Sequence, residues 1–485
     1  MKLKLRRLSG QKNKEIGGTP GPGRHIFVPS EVIRVTTSRS DLKERAERDE
    51  IEFFFAMFVD MHGKPCAKLI PAEAFDLMMD GGAGFAGFAA GPMGQTPADP
   101  DMIAMPDPAS YTPVPWTPGL AVLQCDIHVD GEPWPFAPRV ILKNALKELE
   151  QRELILNIGV EAEYFLVRRK PEGGIELADP IDKAPLPCYD AKGLSRMYGH
   201  LTSVSKYMNQ LGWTNYANDH EDANGQFEQN FAYADALTTA DRLIFFRYMV
   251  QTLAHEAGMT ATFMPKPFSH LTGNGLHCHS SLWSMAGEEL FLDEDDERGL
   301  GLSEMAYGYI GGLIDHAPAL AAVTCPTVNS YKRMGAGVPD SGSTWAPAYA
   351  TYGGNNRTQM LRVPDAGRVE NRGVDGAANP YLAIAAQAAA GLDGIDRGLD
   401  PGEPNTDNLY TMDPTEVARR GIKTLPLTLL HAVEELVTDD VLRGGLGQTR
   451  DGDYVDYYAD VKRKEFSSWH ALVSDAEVER YLTLF

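Results

Sequence analysis

The 485-residue sequence predicts an α+β protein with two domains that follow a basic N-terminal tail. Beyond residue 136, strand-like and helix-like segments alternate without an internal repeat. Eleven prolines between Pro92 and Pro138 exclude a long helix there and predict extended loops and short strands. The length leaves room for two or three domains, and we place a boundary near Phe136. The predicted units are a tail over residues 1–45, a smaller domain over 46–135 and a larger domain over 136–485.

The first elements follow from charge and apolar spacing. Residues 1–24 contain seven basic residues and one acid but no apolar segment of a secretory signal, so we expect a disordered tail. The apolar run 51–60 (IEFFFAMFVD) predicts a strand, and His62-Gly63 predicts the turn after it. Residues 140–152 have the spacing of a helix, which opens the larger domain.

The larger domain contains clear strand and helix patterns. Residues 154–167 (LILNIGVEAEYFLV) and 276–283 (LHCHSSLW) predict buried strands. Residues 240–257 predict an amphipathic helix that ends at Gly258. The alanine-rich segment 380–392 predicts a second helix, largely buried.

Composition excludes several classes of protein. The chain has 45 Lys+Arg against 67 Asp+Glu, a net charge of −22, which argues against a general nucleic-acid binder. No run of about 18 apolar residues is present, so we expect no membrane span. The five cysteines form no CxxC pair, which argues against a zinc ribbon or a disulfide framework and favours a reducing, cytoplasmic location.

A pair of acids gives the first chemical signal. Glu161 and Glu163 are two residues apart in an apolar strand segment, so their side chains point to the same face. Two adjacent carboxylates in such a strand need a cation beside them, because burial and mutual repulsion both disfavour their charge. The alternative is an edge strand that leaves both acids in water.

Further acids and imidazoles follow in two segments. His220, Glu221 and Glu228 lie in a stretch (NDHEDANGQFEQN) that we expect to be too polar for the core, and its alternative is a solvated loop. His277 and His279 share one face of a predicted strand after a glycine-rich turn. A single buried histidine is usually only hydrogen-bonded, but two in this arrangement favour a binding site.

Glu370 and a set of arginines complete the candidate cluster; the arginines are Arg333, Arg357, Arg362, Arg368 and Arg372. A planar guanidinium binds phosphate or carboxylate oxygens with two hydrogen bonds. Oxygen-rich ligation with few histidines and no cysteine suits Mg²⁺ or Mn²⁺ rather than zinc. Divalent ions among carboxylates with arginines around them are what phosphoryl transfer from ATP requires, and no Walker A motif is present.

These residues lie in motifs that resemble the glutamine synthetase family. The motifs occur in the family's order: GVEAEYFLV, HEDANGQFE, FMPKPFSHLTGNGLHCHSSLW, NSYKR, NNRTQMLRVP and RVENRGVDGAANPYL. Within that family the chain is most similar to the branch of rhizobial type III-like enzymes and γ-glutamylmethylamide synthetases. The resemblance implies a small N-terminal β-grasp domain and a catalytic domain with a curved antiparallel sheet and flanking helices. It also implies a homo-oligomer, a dodecamer of two hexameric rings, with active sites between subunits.

The resemblance implies roles for individual residues. Two to three Mg²⁺ or Mn²⁺ ions are expected per subunit: one is held by Glu163, Glu221 and Glu228, another by Glu161, His277 and Glu370. Glutamate binding is implied for Thr272, Gly273, Arg333 and Arg372. ATP binding is implied for Tyr233, His279, Ser281, Arg357, Arg362 and Arg368. Glu221, Arg333 and Arg372 are the implied catalytic residues. Tyr410 aligns with a tyrosine that some bacterial members carry adenylylated, with a packed surface tyrosine as the alternative.

The implied reaction has two steps: glutamate is phosphorylated by ATP to γ-glutamyl phosphate, and an amine then displaces the phosphate. The amine pocket departs from the pattern of ammonia-using members. Ala86 stands where an aspartate of the adjacent subunit would line that pocket, and Pro339 stands in place of a flap glutamate. Asp340, one residue further, is a candidate substitute, and Glu221 remains.

Three substrates stay open at this point. The departures favour a glutamate–alkylamine ligase that uses methylamine, because loss of a carboxylate leaves an apolar wall for an N-alkyl group. The second alternative is a glutamine synthetase that uses ammonia, with Asp340 in the flap role. The third is a ligase for a larger amine, such as ethanolamine or a polyamine. An inactive structural relative is disfavoured because all six implied metal ligands are present.

Overall fold

The computed structural model describes residues 37–334, 346–449 and 452–485. Most of the predicted tail lies outside them. Residues 39–45, however, belong to a helix, α1 (Arg39–Arg48), so the tail prediction extends too far. The Ser38 hydroxyl and the Asp41 carboxylate form a capping box at the start of this helix, and Leu42 is buried. The cap, the burial of Leu42 and Ala46, and the ion pairs of Arg39 and Lys43 with Asp76 hold this segment ahead of the predicted boundary.

A mixed sheet of seven strands follows, within the smaller predicted domain. Its strands are β1 (Phe53–Val59), β2 (Pro65–Pro71), β3 (Ala83–Phe85), β4 (Met102–Pro106), β5 (Thr112–Pro113), β6 (Leu120–Val129) and β7 (Glu132–Pro133). The order is β2-β1-β6-β4-β3, with β5 and β7 also paired to β6. The proline-rich stretch contains no long helix, as predicted, but β6 is longer than the short strands that we expected there.

The larger predicted domain is built on a second sheet of ten strands in the order β10-β11-β8-β14-β17-β16-β15. The strands are β8 (Leu154–Arg169), β9 (Ile175–Leu177), β10 (Asn215–His220), β11 (Gln226–Phe231), β12 (Ala234–Asp235), β13 (Thr260–Thr262), β14 (Leu276–Ser284), β15 (Tyr352–Gly353), β16 (Leu361–Arg362) and β17 (Val369–Asn371). The 16-residue β8 pairs with β11, β12, β13, β14 and β9, and is therefore the strand on which the sheet is organised. A two-stranded ribbon, β18 (Gln448–Thr449) and β19 (Gly452–Asp453), lies apart from it.

Helices cover the sheets and carry much of the core. They are α2 (Phe75–Gly81), α3 (Gly87–Ala90), α4 (Pro138–Gln151), α5 (Ala191–Arg196), α6 (Tyr198–Gln210), α7 (Ala236–Glu256), α8 (Glu304–Asp315), α9 (Ala317–Thr324), α10 (Pro380–Arg397), α11 (Pro414–Arg419), α12 (Leu429–Val437), α13 (Asp440–Leu446), α14 (Tyr454–His470) and α15 (Asp475–Tyr481). The predicted helices at residues 140–152, 240–257 and 380–392 correspond to α4, α7 and α10. None of the described helices is long and apolar enough to cross a membrane.

The polar stretch from residue 218 to 230 is not a solvated loop. It forms the hairpin of β10 and β11, and every residue of β11 is buried. The expectation that this stretch is too polar for the core is therefore wrong. The reason is that its polar side chains bond one another and their neighbours: Gln229 donates to Asn218 Oδ1 at 2.6 Å and accepts from the Tyr164 hydroxyl at 2.7 Å.

A buried arginine ties the first sheet to the helices of the second. Arg139, in the first turn of α4, is 3% exposed. Its guanidinium contacts Asp126 Oδ1 at 2.6 Å and Asp107 Oδ2 at 2.9 Å on the side of the first sheet. On the other side it contacts Asp241 Oδ2 of α7 at 2.9 Å. Although burial opposes charge on Asp107, Arg139 outweighs it and holds the pKa of that carboxyl below its usual value.

We expect Arg139→Met to lower the free energy of unfolding by about 3–5 kcal/mol, because three carboxylates would lose their shared cation in a buried place. Urea unfolding measures this loss. Arg48→Met is the matched control: the Arg48 pair with Asp49 is solvent-exposed, and its loss should cost less than about 1 kcal/mol. Equal effects of the two substitutions would contradict a structural role for the buried ion cluster.

Candidate active site

Strand register brings the predicted acids and imidazoles together at the middle of β8. Glu161 lies opposite His277 of β14, and Glu163 lies opposite Glu228 of β11. In the next pairing along the sheet, His279 lies opposite Glu370 of β17. Neighbouring strands in a sheet are about 4.8 Å apart, so side chains on one face at these positions must touch.

The distances confirm a compact cluster. His277 Nδ1 lies 3.2 Å from Glu161 Oε2 and 3.5 Å from Glu370 Oε1, while its Nε2 lies 3.7 Å from Glu163 Oε1. His279 Nε2 lies 3.1 Å from Glu161 Oε1. The structure therefore brings four of the six proposed metal ligands into direct contact.

Two overlapping sets of possible ligand atoms result. Glu161, Glu228 and His277 place one ligand atom each within 4.8 Å of one another, and so do Glu161, His279 and Glu370. Glu161 belongs to both sets. The two triads implied by the family resemblance share this region, but the observed sets divide the residues differently, because Glu161 lies between the two imidazoles.

The charges of the cluster are unbalanced. Burial opposes the charge of both Glu161 and Glu370. The two imidazoles outweigh it at Glu161 and hold the pKa of that carboxyl well below its usual value. Arg372 and the imidazoles outweigh it at Glu370 and lower the pKa of that carboxyl to about 2. Among the described residues, Glu228 and Glu221 have no cationic partner. Burial and the neighbouring carboxylates raise the pKa of Glu221 to about 8 and the pKa of Glu228 well above its usual value.

This imbalance fits a divalent cation. Buried carboxylates that are not compensated by the protein gain most from an ion of charge +2. The donor set is dominated by carboxylate oxygens with one or two imidazoles and no thiolate, which suits Mg²⁺ or Mn²⁺. The residues present therefore fit the metal that the sequence predicts.

Glu163 is held by contacts that sequence reasoning missed. Its Oε2 accepts from Gly275 N at 2.6 Å and from Gln226 Nε2 at 3.1 Å. Gln226 Nε2 also lies 3.1 Å from the Gly273 carbonyl oxygen, so one amide joins the acid to the predicted glutamate-binding turn. The signal was present in the sequence, because Gln226, Glu228 and Asn230 alternate as the residues of one strand face do.

Gly275 lies where no side chain would fit. A Cβ at this position would be 2.9 Å from Arg333 Nη2, 3.0 Å from His277 Nε2 and 3.2 Å from Glu163 Oε1. The glycine therefore allows the backbone N–H to reach the carboxylate while the arginine and the imidazole pack against it.

The predicted arginines divide into two groups. Arg362 and Arg372 each bind Glu370, with Nη1 atoms 2.6 Å from its two carboxylate oxygens. Arg333 is buried, and its Nη2 donates to the Arg372 carbonyl oxygen at 3.2 Å, whereas its Nη1 has no hydrogen-bond partner among the described residues. A buried guanidinium with a donor to spare is suited to a carboxylate or phosphate ligand.

The other two arginines lie at the rim. Arg368 binds Asp365, and its Nη1 lies 3.4 Å from His279 Nδ1. Arg357 is exposed in the turn between β15 and β16. Both can reach a ligand only from the open side of the cluster.

The remaining residues predicted to bind glutamate or ATP lie around the cluster of acids and imidazoles. The Thr272 hydroxyl donates to the carboxylate of Asp222, next to Glu221. Gly273 has no room for a side chain, because a Cβ would lie 2.3 Å from the Pro265 carbonyl oxygen. Ser281 lies on β14 two residues after His279, and the half-buried Tyr233 follows β11 and packs beside Gly159 of β8.

Of the three residues predicted to line the amine pocket, the structure describes Ala86 and Glu221. Tyr189 N donates to the His220 carbonyl oxygen at 2.8 Å, which brings Cys188 and Tyr189 beside Glu221. Ala86 is exposed and directly follows β3 of the first sheet. Asp340 lies outside the described residues.

Tyr410 is half-buried rather than fully exposed. Burial raises its pKa to about 12 against the opposing effect of Arg372 and Arg333, so the phenol lies close to the arginines of the cluster. Its modification by a nucleotide stays a prediction.

We expect the affinity for Mn²⁺ to rise with pH and to level off near pH 8. Below that value Glu221, whose pKa is raised to about 8, carries a proton that the ion must displace, so the association constant should change by up to about tenfold per pH unit. Glu221→Gln should weaken binding and flatten this dependence, and Glu289→Gln is the control, since Glu289 lies outside the ligand sets. Calorimetric titration in buffers of different ionisation enthalpy measures the released protons. Mn²⁺ binding that does not depend on pH and releases no protons would contradict the assignment of Glu221 as a ligand.

Comparison with known proteins gives one consistent result. Residues 135–481 match the family described as "Glutamine synthetase, catalytic domain". The chain is 44% identical to a glutamate–methylamine ligase of Methyloversatilis universalis over 92% of this chain and all of that protein. It is 45% identical to a glutamine synthetase of Rhizobium meliloti over 88% of this chain and 96% of the relative.

Solved structures of related proteins have the same fold as this chain. A GmaS–ADP complex superposes with a TM-score of 0.85 at 49% identity and covers 91% of this chain and 99% of that one. A ligand-free GmaS gives a TM-score of 0.84 at 47% identity, over 92% and 100% of the two chains. The α+β fold with flanking helices predicted from the motifs is thereby confirmed. The chain belongs to the glutamine synthetase family.

Proposed function

We propose that the protein is an ATP-dependent carbon–nitrogen ligase that joins the γ-carboxyl group of glutamate to methylamine. The observation that carries the proposal is the buried carboxylate–imidazole cluster with Arg333, Arg362 and Arg372 around it. The similarity to a glutamate–methylamine ligase over that protein's full length supports the choice of amine. The product is a γ-glutamyl amide, formed through γ-glutamyl phosphate.

The proposal includes two to three Mg²⁺ or Mn²⁺ ions per subunit. Glu163, Glu221 and Glu228 would hold one ion, and Glu161, His277 and Glu370 another. When bound, such ions neutralise phosphate oxygens and the charge that develops as the phosphoryl group transfers. His279 and the rim residues Tyr233, Ser281, Arg357 and Arg368 would then face the nucleotide.

In the first step the chain positions two anions against each other. Arg333 has a buried donor, Nη1, that no described residue accepts, and Arg372 lies beside it, so both would hold the glutamate carboxylate and the transferred phosphate. The backbone of Gly273 and the side chain of Thr272 lie at the same turn. The γ-carboxylate oxygen attacks the γ-phosphorus, the bond from that phosphorus to the β,γ-bridging oxygen breaks, and ADP leaves.

In the second step Glu221 accepts a proton from the amine substrate. An alkylamine arrives as its ammonium ion, and only the free base is a nucleophile. Glu221 is the acid proposed for the amine pocket, and its carboxylate would hold the ammonium ion and accept the proton that it loses. The amine nitrogen then bonds to the acyl carbon, and inorganic phosphate leaves.

The amine pocket would be completed by a neighbouring subunit. Ala86 is exposed, and the role proposed for it needs a homo-oligomer, which we propose to be a dodecamer of two hexameric rings. A methyl group on the substrate would pack against Ala86, whereas an aspartate there would favour a hydrated ammonium ion. We further propose a cytoplasmic location, which the five free thiols support.

A second candidate is a glutamine synthetase that uses ammonia. The 45% identity to the Rhizobium meliloti enzyme favours it, and Asp340 would supply the missing flap acid. A ligase for ethanolamine or a polyamine is the third alternative, and it would need a larger pocket than the replacement at Ala86 opens.

We expect Glu370→Ala and Glu163→Ala to reduce turnover by at least about a hundredfold, because each removes a ligand and exposes the remaining charges to one another. Glu163→Gln keeps the shape and should show the same loss. Glu176→Ala, an exposed acid on β9, is the control and should leave the rate unchanged. The measurement is phosphate release that depends on glutamate and amine, with assembly followed by size-exclusion chromatography. Near-normal turnover of any ligand variant would refute the assignment.

We expect kcat/KM to be higher for methylamine than for ammonia at the same pH. Ala86→Asp should lower it for methylamine and raise it for ammonia, with a change in the ratio of about 1–2 kcal/mol. Ala89→Asp, also exposed and three residues away, is the matched control for added charge. Steady-state rates with ammonia, methylamine, ethylamine and putrescine measure the preference. If the wild type already prefers ammonia, the protein is a glutamine synthetase; if only the ratio stays unchanged, the role of Ala86 is wrong.

A further inference from the structure

A cleft of about 820 Å³ lies apart from the cluster of acids and imidazoles. Six parts of the chain form it: the turn from His62 to Pro65, the middle of α7, the segment 262–264, residues 326–327, residues 376–377 and the second half of α14. We call it the basic cleft. None of the proposed metal ligands lines it, so the function proposed above leaves it without a role.

The charges of the basic cleft contrast with those of the whole chain. Arg247, Lys64 and Lys464 line it, and Glu465 is the one acid among its lining residues. Glu465 is already engaged, because its Oε2 lies 3.0 Å from the ammonium of Lys462, which is itself buried. A chain of net charge −22 thus presents a positive concavity here, which favours anions over the rest of the surface.

The side chain of Arg247 is a second, independent indication that the basic cleft binds an anion. Its Nε and Nη2 atoms are buried and have no hydrogen-bond partner among the described residues. The guanidinium lies over the ring of Phe263, 5.7 Å from its centroid, on the wall of the cleft. The charge of Asp375 acts on it, yet the two form no ion pair within 4.0 Å in the described structure. Buried guanidinium donors without acceptors are costly unless a ligand supplies them.

We propose that the basic cleft binds a small organic anion through carboxylate or phosphate oxygens, with Arg247 and Lys464 as the residues that hold the anionic group. The walls from Tyr248, Phe263 and Met264 are apolar and would cover the organic part of the molecule. The cleft volume lies within the range of small-molecule sites. Gln251 and Ser468 are among the polar lining residues that could fix its orientation.

The test is calorimetric binding of two probes, succinate and glycerol phosphate, to the full-length protein. Each probe can also enter the active site through its arginines, so the titration is repeated with Arg372→Ala. We expect one binding event that survives Arg372→Ala and is weakened at least about tenfold by Lys464→Gln. Lys464 is exposed, so its substitution leaves the core intact, and Lys206→Gln on the exposed face of α6 is the control. Arg247→Gln should abolish the same event.

The probes separate the possible sources of the anion. Binding of succinate alone identifies a carboxylate ligand, and binding of glycerol phosphate alone identifies a phosphate ligand; either outcome supports the site. Binding that disappears with Arg372→Ala and is unchanged by Lys464→Gln places the anion in the active site only and overturns the proposal. Absence of any binding event also overturns it, as does a cleft that is found covered by a second copy of the chain.

Discussion

The structure depends on one electrostatic constraint: several carboxylates are held within a buried sheet, and the described part of the chain supplies too few positive charges to balance them. Glu370 has two guanidinium partners and Glu161 has two imidazoles, so both stay ionised. Glu221 and Glu228 have no cationic partner among the described residues, and burial together with their acidic neighbours raises their pKa values. Buried carboxylates without a counter-ion lower the stability of the fold, and a bound cation would offset that cost.

The rest of the larger domain can be understood as the support for that cluster. The long strand β8 places two acids on one face, and its apolar alternate residues anchor them in the core. Its neighbours β11 and β14 add Glu228 and His277 by register alone. Gly275 and Gln226 then fix Glu163 by donating to its carboxylate, and Gln226 links it to the turn that carries Gly273. Glu221 lies directly after the last residue of β10, which places the proposed base beside the same cluster.

Much of this was predictable because it depends on local pattern. The fold and the cluster follow from local patterns: the alternation of Glu161 and Glu163, the two histidines of β14 and the order of the motifs. Two other expectations failed for different reasons. The buried hairpin of β10 and β11 looks like a loop in sequence, because only its partner strands satisfy its polar groups. The start of α1 depends on a local capping box that the basic composition of the tail obscures. The proposed relation of Ala86 to Glu221 would involve separate subunits, so a single chain does not test it.

The most direct measurement is a crystal structure of the protein with Mn²⁺ and ADP, with the ions located by their anomalous scattering. The electrostatic account predicts manganese peaks about 2.0–2.6 Å from carboxylate oxygens, one beside Glu163, Glu221 and Glu228 and one beside Glu161, His277 and Glu370. The ADP phosphates should contact the second ion and the rim arginines. Manganese bound only elsewhere, or an empty cluster with nucleotide in place, would contradict the claim that uncompensated carboxylates define this site.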